Sequence, residues 1–259
     1  MNDVAQCVEL LKNQTKLVAL LAPSFPIVYE YPAIVARLKK LGFEYVLEVS
    51  VGAKDTNREL AELLRKNPTA RYITSPCAGF VRMVRAQYPR FLPFLAFQAD
   101  SPMIATARIA REKYPDHRAV FLGPCVAKKL ESAEDYPDLK LIVLTFKELD
   151  QIFTQFAVPE QMDATGVAFD LAAPETRIYP VDGGLTETSG VRSFLKEDEI
   201  RIVSGWKNIP AALEEFEKNP KIRLLDILFC EGGCVSGPGI VSKLMPEDRR
   251  AKVEAFVKR

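Results

Sequence analysis

Short apolar runs rich in Val, Ile and Leu alternate with amphipathic segments along this chain, the pattern that parallel strands joined by helices produce. Strands are predicted at residues 17–21, 45–50, 71–74, 118–122, 141–145, 200–204 and 225–229. Helices fill the intervals, for example at 31–41, 56–66 and 146–156. The class is α/β. The polar break Lys113-Tyr114-Pro115-Asp116-His117 divides the strands into a group of three and a group of four. Two lobes are therefore expected, 1–115 and 116–259, each a small, mainly parallel sheet flanked by helices. Residues 158–182 carry three prolines and no clear period, so they form either a long crossover or a surface excursion.

With 259 residues, 48% of them hydrophobic and 27% charged, the chain can bury two modest cores, which sets disorder aside. Its 35 basic residues nearly cancel its 34 acidic ones and are not concentrated on any arm, so no nucleic-acid partner is expected. The N-terminus lacks a basic segment followed by an apolar core, and no apolar run reaches the roughly 18 residues a membrane span needs. A cytoplasmic protein follows as the expectation. Five cysteines is an odd number for a disulfide framework and points to metal or redox chemistry instead.

Four of the five lie at predicted strand-to-helix junctions. Tyr72-Ile73-Thr74 ends a strand, Ser75-Pro76-Cys77-Ala78-Gly79 turns, and Phe80 begins a helix. Val120-Phe121-Leu122 leads in the same way into Gly123-Pro124-Cys125, with Lys128 and Lys129 close behind. The run ending at Phe229 leads into Cys230-Glu231-Gly232-Gly233-Cys234, whose glycines let the backbone pass close to a bulky group. Loops at the carboxyl ends of parallel strands converge on one crevice, and four thiolates is the ligand count of a 4Fe-4S cluster. Helix N-termini and Lys128 are expected to lower the thiol pKa values there.

Any one cysteine taken alone reads as a small buried hydrophobe, but four at strand ends do not. A four-cysteine zinc site is the sharper competitor, although zinc motifs pair their cysteines at short spacings and Cys77 and Cys125 are each isolated. Cys7 has no neighbouring ligand type and is read as structural. His117, the only histidine, is read as solvated or capping rather than catalytic. Lysines in a first helical turn oppose the helix dipole, so Lys128 and Lys129 invite an anionic partner. Glu187 reads equally as a helix N-terminal charge or a pocket group.

These loops, in this order, resemble the three signatures of the catalytic domain of FeFe-hydrogenases, and the resemblance extends over nearly the whole chain. It implies that Cys77, Cys125, Cys230 and Cys234 ligate a 4Fe-4S cluster in the cleft between the lobes. Cys234 then also bridges to a two-iron subcluster with CO, cyanide and a bridging dithiolate, the two parts forming the H-cluster. Lys128 would contact one cyanide and the Ala22-Pro23-Ser24 segment the other, while Tyr179 and Gly183-Gly184 would close the pocket. The implied partners are H2, protons and a ferredoxin-like electron donor or acceptor.

The departures are equally specific. The family's proton-relaying cysteine is Pro76 here, the methionines of the second and third loops are Gly123 and Leu228, and a glutamine is Met103. The relay serine falls near Ala96 or Phe97, and Glu59 roughly matches a relay glutamate. Proline cannot carry a proton, so the resemblance is to the sensory branches, with slow turnover or H2 sensing as the implied output. The alternative is a non-catalytic relative that holds only the 4Fe-4S centre, for electron transfer or cluster assembly. A zinc-stabilised structural domain comes last.

Overall fold

A computed structural model describes residues 2–259. In chain order its elements begin α1 (Asp3–Lys12), β1 (Leu17–Leu21), α2 (Ala33–Leu41), β2 (Phe43–Glu48), α3 (Ser50–Lys66) and β3 (Tyr72–Ile73). They continue α4 (Ala78–Gln87), α5 (Pro102–Lys113), β4 (Arg118–Gly123), α6 (Ala127–Leu130), β5 (Ile142–Thr145) and α7 (Phe146–Gln155). The last are α8 (Gly184–Thr188), β6 (Ile200–Ser204), α9 (Ile209–Lys218), β7 (Leu224–Leu228) and α10 (Pro246–Val257). All strand pairs are parallel, in a four-stranded sheet of order β2-β1-β4-β5 and a three-stranded sheet of order β3-β7-β6.

The sheets hold four and three strands, but the chain does not sort into them at the 113–117 break. β4 and β5 join β1 and β2, whereas β3 leaves its sequence neighbours to pair with β7. The reason lies in burial. Every residue of β1 and of β7 is buried, as befits central strands of parallel sheets covered on both faces. β1 therefore needs a strand on each side, and β4 supplies the second. β7 likewise requires the short β3, whose Ile73 is fully buried.

Two further expectations shift. α3 begins at Ser50 rather than at residue 56, because Gly52 and Ala53 let its first turns lie against α5. His117 is not solvated: its ring packs 5.1 Å from Tyr45 and 5.9 Å from Tyr114 and hydrogen-bonds Glu44 at 2.8 Å. That places it at the amino ends of the strands, away from the cysteines. Residues 158–182 prove to be a crossover fastened to β2 by the Glu48 N–H to Leu171 carbonyl bond and by the buried Glu48–Arg177 pair at 2.9 Å.

One core fills the four-stranded half, and two smaller ones lie on the faces of the other sheet. Phe80, Phe91 and Phe216 pack one face; Leu60, Leu64 and Val191 pack the other. α3 and α5 run along each other between the two halves. The carboxyl ends of both sheets then meet at one place.

Candidate metal centre

Each predicted cysteine loop leaves the carboxyl end of a strand. Cys77 is the N-cap residue of α4, and the preceding Thr74 ties its loop to β7 by accepting the Ile227 N–H at 3.1 Å. Cys125 follows β4, and Cys230 and Cys234 follow β7. The Phe229 N–H donates to the Cys77 sulfur at 3.3 Å, joining two of the loops directly. None of the five cysteines is in a disulfide.

The four thiols act on one another. Burial pushes the Cys234 thiol well above its ordinary pKa, and the charges of Cys77, Cys125 and Cys230 push it further. Cys230 is raised to about 12, by burial first and then by Cys77 and Cys125. At Cys125, burial and Cys77 outweigh the pull of Lys128 and of two backbone N–H donors, so the net direction is upward. The lowering expected from helix ends and Lys128 is thus overridden by desolvation. Three neighbouring thiols held above their ordinary pKa suit a cationic metal centre, whose binding releases the protons. Cys7, also raised to about 12, owes this to burial alone and sits in the core with no thiol beside it.

Among the described residues no three His, Cys, Asp or Glu side chains close on a single ion.

Beside Cys234 lies a cavity of about 80 Å³, walled almost wholly by apolar groups. Cys77, Cys125, Ala22, Pro23, Pro76, Met103 and Leu228 reach it. So do Ser24, Lys128 and Tyr179, its polar members. The Ser24 hydroxyl is buried without a hydrogen-bond partner, as is that of Tyr179. Lys128 is 8% exposed; its Nζ donates to the Pro76 carbonyl at 2.9 Å and pairs with Glu131. Burial draws the Lys128 pKa down, but Glu131 and the nearby thiols more than offset it and leave it raised.

Cys230 does not line the cavity. Gly183 and Gly184 do not reach it either. Gly183 takes φ +76° as the N-cap of α8, and a side chain on Gly184 would strike the Ile178 carbonyl, so the pair shapes the turn behind Tyr179. Glu187 is exposed in the first turn of α8, which settles it as a helix-end charge. Glu59 accepts the Asp100 N–H at 3.2 Å away from the cavity, and Ala96 is buried, with its carbonyl taking the Ser75 hydroxyl at 2.9 Å.

Sequence reasoning passed over Phe121, Pro102, Pro124 and Pro180 in the wall. Phe121 had a signal. A side chain on Gly123 would lie 2.5 Å from the Phe121 ring, so the ring occupies the space that a second-loop methionine would fill.

Two parallel sheets with cysteine loops at their carboxyl ends make this an α/β protein with a candidate metal centre. The chain belongs to the family described as iron only hydrogenase large subunit, C-terminal domain, which matches residues 15–238. Cytosolic Fe-S cluster assembly factor NAR1 of Encephalitozoon cuniculi (strain GB-M1) is 26% identical over 193 residues, 66% of this chain and 52% of that protein. The chain thus spans about half the length of that curated relative. FeFe-hydrogenase HydA1 from Chlamydomonas reinhardtii superposes with TM-score 0.73 at 19% identity, over 99% of this chain and 88% of that one. An apo HydA1 variant from the same alga gives 0.70 at 18%, with the same coverage. At these identities the structural likeness is one of fold. Among the described residues no helix is long and apolar enough to cross a membrane.

Proposed function

We propose that this chain is an H-cluster protein: Cys77, Cys125, Cys230 and Cys234 hold a 4Fe-4S cluster, and the cavity beside Cys234 holds the two-iron subcluster. Its output is slow interconversion of protons and H2, or H2 sensing, in the cytoplasm, with electrons exchanged with a ferredoxin-like partner. The observation that carries this reading is the cavity. A protein holding only the four-iron cluster has no need of a dry pocket next to Cys234 with an unpartnered serine hydroxyl and a buried lysine in its wall.

When bound, the metal centre supplies the redox chemistry, and the protein supplies orientation and exclusion of water. Ala22, Pro23, Phe121 and Leu228 form the apolar wall. Within it the Lys128 ammonium and the Ser24 hydroxyl are the donors available to anionic ligands, and an ion pair there is stronger than in water. Pro76 offers a carbonyl but no proton. The apolar Ala96 side chain continues that gap.

A second reading, cluster binding for iron-sulfur assembly without turnover, is favoured by the likeness to NAR1. Infrared spectroscopy separates the two. Protein carrying four irons is incubated with a two-iron precursor and desalted. Retained CO and cyanide bands support the H-cluster reading; their absence, with four irons still bound, leaves the assembly reading. Given uptake, Pro76→Cys should raise H2 evolution per loaded site by up to about 10²- to 10⁴-fold, the usual worth of a placed acid-base group. No gain would locate the limiting break at Ala96 or Phe97.

A further inference from the structure

The loop from Cys230 to Cys234 lies against the end of the crossover. The Cys234 N–H donates to the Pro180 carbonyl at 2.7 Å, the Asp182 N–H donates to the Gly232 carbonyl at 3.2 Å, and Val181 bridges Gly233 in antiparallel fashion. The Asp182 side chain adds a polar chain to this backbone contact. One of its carboxylate oxygens accepts the hydroxyl of Ser204, at the end of β6, at 3.0 Å, and the Ser204 oxygen in turn accepts the Gly232 N–H at 3.1 Å. The other oxygen takes the Arg250 guanidinium of α10 at 2.9 Å. α10 is seated beside this contact by Val253, fully buried in a cluster with Val181 and Val235. One acidic side chain thus ties the loop that carries two of the four cysteines to a strand and to the last helix. The side chains of Asp182 and Arg250 are 27% and 48% exposed, so their pair contributes little to stability. Its position matters more, because the potential of an iron-sulfur cluster responds to the charge and hydrogen bonding around it.

We propose that Asp182 is a positioning residue for the four-iron cluster: through Ser204 it fixes the Gly232 N–H between Cys230 and Cys234, while Arg250 offsets its charge beside the loop. The inference rests on the four-cysteine assignment, which the H-cluster and assembly readings share, and needs no two-iron unit. A negative charge near the cluster opposes the arrival of an electron, and a positive one favours it. Losing the carboxylate therefore raises the reduction midpoint, and losing the guanidinium lowers it. A pair that only held the fold together would not give shifts of opposite sign.

The test reconstitutes wild type, Asp182→Asn, Arg250→Gln and the double variant with iron and sulfide, measures iron content, and titrates the cluster with dithionite under electron paramagnetic resonance. Asp182→Asn should raise the midpoint, Arg250→Gln should lower it, and the double variant should return close to the wild type. Both single shifts should shrink in about 1 M salt, where charges are screened beyond about 3 Å. Asp182→Ala also removes the acceptor for Ser204, so amide exchange at Gly232 should quicken by about tenfold, the worth of one hydrogen bond. Midpoints that stay put or move in the same direction in both single variants would overturn the proposal, as would unchanged exchange at Gly232 in Asp182→Ala. If Asp182→Asn loses its iron, Arg250→Gln decides alone, because it leaves the bonds of the loop in place; an unmoved midpoint there overturns the proposal. A wild type that binds no four-iron cluster would remove the ligand assignment itself.

Discussion

The two halves of the molecule bring different chemistry to the same cleft. The three-stranded half delivers Cys77, Cys230 and Cys234 from the ends of β3 and β7. The four-stranded half delivers one cysteine, Cys125, together with Ala22, Ser24 and Lys128 from the ends of β1 and β4. Most ligands of the proposed four-iron cluster thus come from one sheet, and the Ser24 and Lys128 donors for a neighbouring group come from the other. The site exists only where the halves are docked, which makes their seam part of the function. It also makes the two roles separable by mutation.

The largest effect expected is the loss of the four-iron cluster. Cys125→Ser and Cys230→Ser, one from each half, should both lower iron content, while Cys7→Ser leaves it unchanged; equal losses from all three would sink the ligand assignment. Lys128→Ala should do the opposite of the cysteine variants, keeping the four-iron absorption spectrum and losing two-iron uptake. If Lys128→Ala also stripped the four irons, the division of labour between the halves would collapse.

What could be read from the sequence was local. A strand, a turn with a cysteine and a helix start are written within about a dozen residues, so each strand is found near its expected place, although β2 ends at Glu48 and Ser50, expected in it, begins α3. Lys128 was legible as a cation seeking an anion, yet its protein partner Glu131 sits three residues on and reads as one more helix charge. The interleaved sheets were not legible. Which strand lies beside β1 is decided by burial of both its faces across a separation of about a hundred residues, whereas the polar break at 113–117 is a surface turn with no bearing on pairing. Phe121 had only an indirect signal, since its place in the wall depends on the missing side chain of Gly123.

A smaller effect is expected at the seam. A side chain on Gly52 of α3 would lie 2.2 Å from the Pro102 carbonyl and 2.3 Å from the Thr106 hydroxyl of α5. Gly52→Ala must therefore push the helices apart, an overpacking that costs about 1–3 kcal/mol. Val49, Ala53, Pro102 and Met103, which line the cavity from this seam, would move with them. A urea midpoint lowered accordingly, with two-iron uptake falling more than four-iron content, would sharpen the comparison. Equal losses of both would show that the seam serves the halves alike.

The smallest effect belongs to the three-stranded half alone. Asp226 on β7 is 2% exposed, and its carboxylate accepts the Thr186 N–H at 3.2 Å and the Thr186 hydroxyl at 2.7 Å. Burial raises its pKa, and these bonds, with that from Thr74, offset the rise only in part. The folded protein therefore binds this proton more tightly than the unfolded chain does. The resulting stability is present in full below the ordinary aspartate value of about 3.9 and is lost as pH climbs through the raised one. Asp226→Asn removes the titration, so its urea midpoint should fall less steeply than that of the wild type as pH rises above about 3.9. Parallel slopes would move the pH dependence elsewhere, with Glu48 the first candidate, since burial raises its carboxyl despite Arg177. If Asp226 is the group, rising pH loosens the β7 end that carries Cys230 and Cys234 before it reaches the β4 end that carries Cys125. Hydrogen-exchange protection at Ile227 and Leu228 should then decline at a lower pH than protection at Leu122, and the reverse order would break the asymmetry between the halves at its most sensitive point.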